Sequence, residues 1–541
     1  MRRILKTATL ILGILFIVAC NKNEKQTKNL IVMIPDGTST SVLPVTRWYK
    51  FTQDSTQNFL HLDSLITGMV RSYQSNAAVS ASPAAMSAYM TGYLHTSSNI
   101  AVHPKPSSQD MFYVDPSKPY QPLVTVFEAA KLNNKSVGTV TTVSFNHATP
   151  AATMSHTSTR NEMSEIAYQM ASQNMDIVVG SGTMYVDEHL KNILKEKKIA
   201  LYLNDLEGFR SHEQGKVWAL WKEVEMDYDM DRDPSVQPSL TELSMKAIDL
   251  LSKNKEGFCL LIEGGLVDYA AHANDPIALV RELEAFDDAV AAVVEWAKKD
   301  GNTTVVIMPD HGNAMINYAK NSYSKKYRTK ADSIFVDLAK AKVSYNKMAE
   351  ILAQTPKEEI KSVFKENSGL DLTQEQYELL IKNLEVIAED YTEVYKSQNL
   401  QSVIASIYLS NTNINFASSS HTVEDVFLAA YHPKGCVPRG IIRNLDLNHY
   451  MCEVLGIPKT LDEYTAENFV KHTELFEGAE FEIQNTDSII PILEVKKNGK
   501  VLRAQAYSSY VEVDGQRIDL ELPVVYIGAT KSFYLPRKVK I

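Results

Sequence analysis

Asp310-His311-Gly312 sets a carboxylate and an imidazole side by side directly after the apolar run Val305–Met308. Two such donors suit a borderline metal such as zinc, although a turn with one acid and one histidine looks the same. Asp268 and His272 are four apart, which on a helical turn puts both on one face as a chelating pair. Glu263 closes the run Phe258–Ile262 just before them and points to a neighbouring site. Asp36-Gly37 follows Leu30–Ile34; the glycine permits a tight strand exit, and the pair is also a common turn. His147 and Thr149 offer a nitrogen and a hydroxyl, and His421 offers another imidazole. Arg160, expected on the helix that follows His147, carries a guanidinium suited to bidentate phosphate contact. Ser82 lies in the small-residue stretch Ala81–Gly92. At a helix N-terminus, where anions are favoured, such a serine could attack phosphorus; the alternative is an N-cap serine. Singly, each of these residues is as readily structural. Together, Asp36, Glu263, Asp268 and Asp310 with His147, His272, His311 and His421 could fill two or three metal sites. Two ions about 3.5–4 Å apart would clamp both the attacking and the leaving oxygen of an in-line displacement.

What must position these residues is a set of strands. Leu30–Ile34, Val137–Val140, Phe258–Ile262 and Val305–Met308 are short continuous apolar runs, as in strands buried on both faces of a parallel sheet. Helical patterns lie between them at 160–174, 239–253 and 278–298. The alternation predicts an α/β fold with an open, mostly parallel sheet flanked by helices, and ligands bind beyond the carboxyl ends of such strands. All four polar run ends then fall on one edge. Residues 332–400 read as a mainly helical insertion between a first core part, 29–331, and a second, 401–475. Residues 476–541 read as a small β element with turns at Asn498-Gly499 and Asp514-Gly515.

The 541 residues are 44% hydrophobic and 22% charged, values that exclude a wholly disordered chain. A net charge of −10, from 55 basic and 65 acidic residues, argues against a nucleic-acid partner held by an overall positive field. Residues 1–20, MRRILKTATLILGILFIVAC, have a basic start, an apolar run too short to span a bilayer comfortably, and a small residue before Cys20. They resemble a bacterial lipoprotein signal. Export follows, with a lipid on Cys20, residues 21–28 as a tether, and anchoring to a bacterial membrane facing the periplasm or the cell surface. Ordinary secretion is the alternative. Four cysteines make no disulfide scaffold. Cys259 reads as a buried apolar residue, and Cys436 and Cys452 could pair in an oxidising compartment.

The blocks IPDG (34–37), SASPAAMSAYMTG (80–92), TTVSFNHATPAA (141–152) through Arg160, EGGLVDYAAH (263–272), PDHG (309–312) and HTVEDV (421–426) resemble those of the alkaline phosphatases in order and spacing. The resemblance runs over residues 29–325 and resumes at 415–455. It implies hydrolysis of phosphate monoesters to alcohol and inorganic phosphate, with two zinc ions and a third metal, usually magnesium. Ser82 would be the nucleophile, forming a phosphoserine that water then hydrolyses. Asp268, His272 and His421 would hold the first zinc. Asp36, Asp310 and His311 would hold the second, which activates Ser82. Asp36 would bridge to the third site, with Glu263, Thr149 and His147 nearby, and Arg160 would clamp phosphate. The family is often dimeric, so a homodimer is a possible assembly.

Three departures matter. Ala81 stands where the family commonly has an aspartate that positions the arginine, which leaves Arg160 freer and phosphate held less tightly. His147 replaces an acid found in some members, so the third ion could be zinc as well as magnesium. The long stretch between His311 and His421 is either a lid or a surface decoration. Two other functions compete. A diester or sulfate ester hydrolase of the same fold is one, although Ser82-Pro83-Ala84-Ala85-Met86 lacks the proline and arginine spacing of a sulfatase motif. A surface-anchored binding lipoprotein, holding zinc without turnover, is the other.

Overall fold

The computed structural model describes residues 25–318, 335, 338–388 and 399–541. The signal segment 1–20, Cys20, tether residues 21–24 and parts of the 332–400 insertion lie outside the described residues.

In chain order the strands that build the site are β1 (Asn29–Pro35), β2 (Ile66–Arg71), β3 (Ser136–Ser144), β4 (Ile177–Ser181), β5 (Ala200–Leu203), β6 (Val217–Trp221), β7 (Phe258–Gly264) and β8 (Thr303–Ile307). They are followed by the short β9 (Gly312–Asn313), β10 (Ile316–Tyr318), β11 (Ile414–Phe416) and β12 (His421–Thr422), then β13 (Asp425–Tyr431) and β14 (Gly440–Arg443). Ten of them form one sheet in the order β14-β2-β13-β8-β1-β7-β3-β4-β6-β5. Within it β13 runs antiparallel to β2 and β8. The other pairings are parallel. Every residue of β1, β7 and β8 is buried. Helices cover both faces of the sheet, which is why these strands are apolar throughout and do not alternate.

Register brings the strand ends level. Ile34 pairs with Glu263, Glu263 with Thr141, and Met33 with Ile307. The four central strands β8, β1, β7 and β3 therefore end together. Helix Leu240–Leu251 starts at Ser239, whose side chain accepts from Glu242 N. Helix Pro276–Asp300 starts at Asp275, which accepts from Ile277 N and Ala278 N, and stops at Gly301 with φ +69°. Its Leu279, Leu283, Phe286, Val290 and Val293 form the buried stripe.

Between β10 and β11, which pair antiparallel, lie the helices Tyr345–Ala353, Ile360–Ser368, Gln374–Asn383 and Leu400–Asn411. They pack on one another through buried Tyr345, Leu352, Phe364, Leu380 and Tyr408. The C-terminal strands are β15 (Val470–Lys471), β16 (Glu480–Gln484), β17 (Ile492–Lys497), β18 (Lys500–Gln505), β19 (Tyr510–Val513), β20 (Gln516–Asp519), β21 (Val525–Ile527) and β22 (Ser532–Leu535). Strands β16 to β20 form a five-stranded antiparallel meander. Its tight turns are Asn498-Gly499 and Asp514-Gly515, all four residues at positive φ as a type I′ turn demands. Tyr507 Oη donates to Glu165 Oε2 at 2.6 Å and ties this element to helix Met163–Ser172.

Cys259 is fully buried. The Cys436–Cys452 bridge is absent: Cys452 is a free thiol whose Sγ sits 3.9 Å from Asn448 Oδ1, one turn back on helix Asn444–Leu455.

Candidate active site

The carboxyl edge of the central strands gathers the chemistry. Strand β1 delivers Asp36, β8 delivers Asp310 and His311, and β7 ends on Glu263 and Gly264. The short helix Leu266–His272 that follows β7 carries Asp268 and His272 on one face. His421 arrives differently. It precedes β13, which runs against its neighbours, so the start of that strand lies at the edge where the others end. There β12 pairs with β9, setting His421 opposite Asn313 and Thr422 opposite Gly312.

Two groups result. Asp268, His272 and His421 present ligand atoms within 4.8 Å of one another, and so do Asp36, Asp310 and His311. The His311 and His421 rings stack at 3.7 Å, so the two groups stand side by side. In the first, His272 Nε2 lies 3.4 Å from Asp268 Oδ2 and 3.2 Å from His421 Nε2. In the second, His311 Nε2 lies 3.2 Å from Asp310 Oδ2 and 3.6 Å from Asp36 Oδ1. His272 Nδ1 donates to Ser419 O at 2.8 Å, and His421 Nδ1 donates to Ser80 O at 2.9 Å. A carbonyl only accepts, so each Nδ1 carries a proton and each Nε2 faces inward. At His272 burial is outweighed by Asp268, which raises the imidazole, so an ion there would take the place of the Nε2 proton.

The acids are out of balance without a cation. Burial, then the charges of Asp310, Asp268 and Glu263, push the Asp36 carboxyl well above its usual range. Burial lifts Glu263 to about 7 and Asp310 to about 6. Asp268 is also buried, but the histidines around it, His272 foremost, outweigh burial and hold it well below the carboxylate range. Burial drives His311 and His421 down to about 4, which keeps them neutral and ready to ligate. Asp36 Oδ1, Asp310 Oδ2 and Glu263 Oε1 are buried with no hydrogen-bond partner. Orphaned carboxylate oxygens beside neutral imidazoles fit divalent cations, and an oxygen–nitrogen set of this kind suits zinc.

Ser82 opens helix Ser82–Thr91, with Ala81 as the N-cap and Pro83 in the first turn. Its Oγ lies 3.2 Å from His311 Nε2, next to the second group and at a helix N-terminus. Thr149 Oγ1 donates to Asp36 Oδ2 at 3.3 Å, and Thr141 Oγ1 donates to Glu263 Oε2 at 2.5 Å. Glu263 and His147 do not close into a further cluster of three acids and histidines among the described residues. His147 instead faces Arg160 Nη2, 3.5 Å from Nδ1 and closer to Nε2. Burial, with Arg160 second, drives the His147 imidazole well below its usual value, so it is a neutral acceptor for the guanidinium.

Arg160 is not on a helix, contrary to the reading of 160–174. The helix begins at Met163, and Arg160 lies in the turn before it, its N–H on Ser98 O at 2.9 Å. Thr157 Oγ1 and Thr159 Oγ1 accept from Thr159 N and Asn161 N, which diverts the backbone from helical bonding. The turn lets the guanidinium reach back to the strand ends.

Some polar partners escape sequence reasoning. Asn313 Nδ2 donates to Asp268 Oδ1 at 2.7 Å, and Thr141 holds Glu263. Asn313 stands two residues past His311, so proximity to Asp310-His311-Gly312 was the available signal. The Ser80 and Ser419 carbonyls that fix the histidines carry none, because every residue has one.

Known proteins share both the sequence pattern and the fold of this chain. The family model described as alkaline phosphatase matches residues 27–457. The chain is 29% identical over 455 residues to alkaline phosphatase 4 of Bacillus subtilis, covering 82% of this chain and 91% of that one. The crystal structure of a cold-active alkaline phosphatase from a psychrophilic Shewanella species superposes with a TM-score of 0.68 at 25% identity, over 80% of this chain and all of that one (100%). The Thermus thermophilus alkaline phosphatase structure gives 0.69 at 22% identity, over 80% and 92%, a likeness of fold.

Proposed function

The chain belongs to the alkaline phosphatase family of phosphoric monoester hydrolases, and from that premise we propose that Ser82 is the nucleophile of a two-step phosphate monoester hydrolysis. The observation that carries this reading is the placement of Ser82 Oγ 3.2 Å from His311 Nε2, beside two groups each able to hold an ion. Zinc would be held by Asp268, His272 and His421 and by Asp36, Asp310 and His311. Asp36, Glu263 and Thr149, with His147 near, would serve a third ion, magnesium or zinc. Ions so held supply charge neutralisation for the attacking and leaving oxygens.

The chain's own residues do the rest. Ser82 Oγ forms a bond to phosphorus as the bond to the ester oxygen breaks, giving a phosphoserine and the alcohol, whose oxygen takes up a proton. Water then cleaves the phosphoserine, releasing inorganic phosphate and restoring the hydroxyl. The helix N-terminus at Ser82 favours the phosphoryl anion. Arg160, held over the site by His147, offers its N–H groups to the phosphoryl oxygens. Ser80 and Ser419 keep His421 and His272 oriented.

The test is hydrolysis of a chromogenic phosphate monoester at alkaline pH, with zinc and magnesium supplied, in wild type and Ser82→Ala. Turnover lost in the variant supports the assignment. Turnover that survives removes Ser82 from the nucleophile's role, and none in the metal-loaded wild type shifts the weight to diesters, sulfate esters or binding without turnover.

The proposed location is a lipid-anchored one, through Cys20. No helix among the described residues is long and apolar enough to cross a membrane. The chain enters the fold with Thr27 N on Val454 O at 2.7 Å, at the start of β1, whereas Asp36 lies beyond its end. An anchor upstream of Thr27 thus leaves the site facing away from the anchoring surface. Acyl labelling abolished by Cys20→Ser tests it.

A further inference from the structure

Glu424 lies outside both ion-holding groups, yet its carboxylate meets three of the segments that carry their ligands, those of Asp36, His311 and His421. Ser39 Oγ is in close contact with Oε1, and Thr422 Oγ1 donates to the same oxygen at 2.6 Å. Thr40 donates to Oε2 twice, from its N–H and its hydroxyl, each at 3.2 Å. Opposite, Gly312 has no side chain to spare: a Cβ there would sit 2.1 Å from Glu424 Oε1. Each partner stands beside a ligand position. Ser39 and Thr40 follow Asp36, Gly312 follows His311, and Thr422 follows His421.

The contact also reaches Asp268. Ser39 has one hydroxyl proton and two acceptors in range, Glu424 Oε1 and Asn313 O. The carboxylate is the charged and closer acceptor, so it takes the proton. The Ser39 oxygen then accepts from Asn313 N at 3.1 Å, while Asn313 Nδ2 donates to Asp268 Oδ1 at 2.7 Å. The resulting path runs from Glu424 through Ser39 and Asn313 to a residue of the other group.

We propose that Glu424 is a positioning residue that locks the Asp36 loop, the His311-Gly312 turn and the His421 strand together, and so sets the ion affinity of both groups at once. This rests on the assignment of those groups as zinc sites. A carboxylate suits the site because all four groups donate to it, and the Thr40 N–H can only donate. An amide of the same length turns an N–H towards at least one of them, and alanine removes this acceptor from all four, leaving Ser39 only Asn313 O. Outer-shell partners of this kind are worth about 10- to 100-fold in metal affinity.

The experiment is chelator competition for zinc on purified wild type, Glu424→Gln and Glu424→Ala, with circular dichroism to score folding and melting of the metal-free chains alongside. The expected result is that Glu424→Gln stays folded and binds zinc at least tenfold more weakly at both sites. Its kcat at limiting zinc falls and is restored by excess zinc, with KM unchanged. Glu424→Gln protein that is folded and holds zinc as wild type does overturns the proposal. So does a variant whose only change is a lower melting temperature of the metal-free chain, since that is a purely structural role. Should Glu424→Ala fail to fold, Glu424→Gln decides alone. A wild type that holds no zinc overturns the zinc assignment and the clamp with it, and is distinguished from failure of the clamp alone by the wild-type measurement.

Discussion

Arg160 leans on His147: its Nη2 lies 3.5 Å from Nδ1 and closer to Nε2 of the imidazole. Among the described residues Arg160 has no carboxylate within ion-pairing distance. Ala81, at the N-cap before Ser82, brings only a methyl group. A neutral histidine thus supplies the acceptor for the guanidinium, and a neutral acceptor binds a cation less strongly than a carboxylate does.

It follows that Ala81→Asp draws Arg160 to a charged partner and fixes it for the phosphoryl group. One added charge-assisted hydrogen bond is worth about 1.5–3 kcal/mol, so inhibition by inorganic phosphate tightens about 10-fold or more. Steady-state inhibition constants for phosphate, compared between wild type and variant, check this. Equal constants sink it.

Behind the Arg160 turn lies a fully buried polar pair. Glu128 Oε1 is 2.9 Å from His156 Nε2, and Oε2 accepts from Thr125 N at 2.9 Å. Both side chains have no exposed surface. Removing one member of such a pair strands the other, so Glu128→Ala costs about 3 kcal/mol of stability. Urea unfolding curves give the number, and a change below about 1 kcal/mol would mean that the pair is spectator packing.

The edge where Asp36, Glu263 and Asp310 stand was legible because four apolar runs are buried parallel strands, and a parallel sheet has one carboxyl edge. The pairing of Asp268 with His272 needed only the helical repeat. The place of His421 was legible only through the family resemblance: from the residues alone it depends on β13 running antiparallel, and a continuous apolar run carries no direction. The Arg160 turn was misread because Thr157 and Thr159 hydroxyls compete with helical bonding over the same residues whose periodicity suggested helix. The contacts of Glu424 with Ser39 and Thr40 join residues 385 and 384 positions apart, and no local pattern encodes such a meeting.

Stability should fall as pH rises from about 4 to about 8, for a reason separate from the metal groups. Burial pushes Asp275 up to about 7 and Glu282 up to about 8, against about 4 for unfolded carboxyls. The folded chain holds these protons more tightly than the unfolded one. The stability they contribute is fully present below about pH 4 and is lost as pH rises through 7 and 8. Glu282→Gln keeps an oxygen for Asp229 N, whereas Asp275→Asn would turn its NH₂ either on Tyr345 N or on Ile277 N and Ala278 N, all of which Asp275 now accepts from. Glu282→Gln should therefore match wild type below about pH 4 and exceed it at pH 9 in urea midpoint. Identical midpoints at pH 9 would show that Glu282 does not ionise at a cost to folding.

Gly37 offers the sharpest separation of site from scaffold. Its φ is +58°, a region that costs other residues about 1 kcal/mol. A Cβ added there would lie 2.0 Å from Asp268 Oδ1, so the carboxylate must move. Asp268 is pinned by Asn313 on the same oxygen, and displacing it breaks that bond as well. The second group meets Gly37 through its N–H, which donates to Asp310 Oδ1 at 3.1 Å and which alanine keeps, while Asp36 is held from β1 and by Thr149. Gly37→Ala should therefore lose zinc from the Asp268, His272 and His421 group while the Asp36, Asp310 and His311 group keeps its own. Metal analysis after partial chelation should show about half the wild-type zinc retained. Global unfolding should shift by only the modest cost of the backbone strain. Equal loss from both groups would mean that the glycine matters to the whole edge, and full retention would mean that Asp268 has room to yield without surrendering its ligand position.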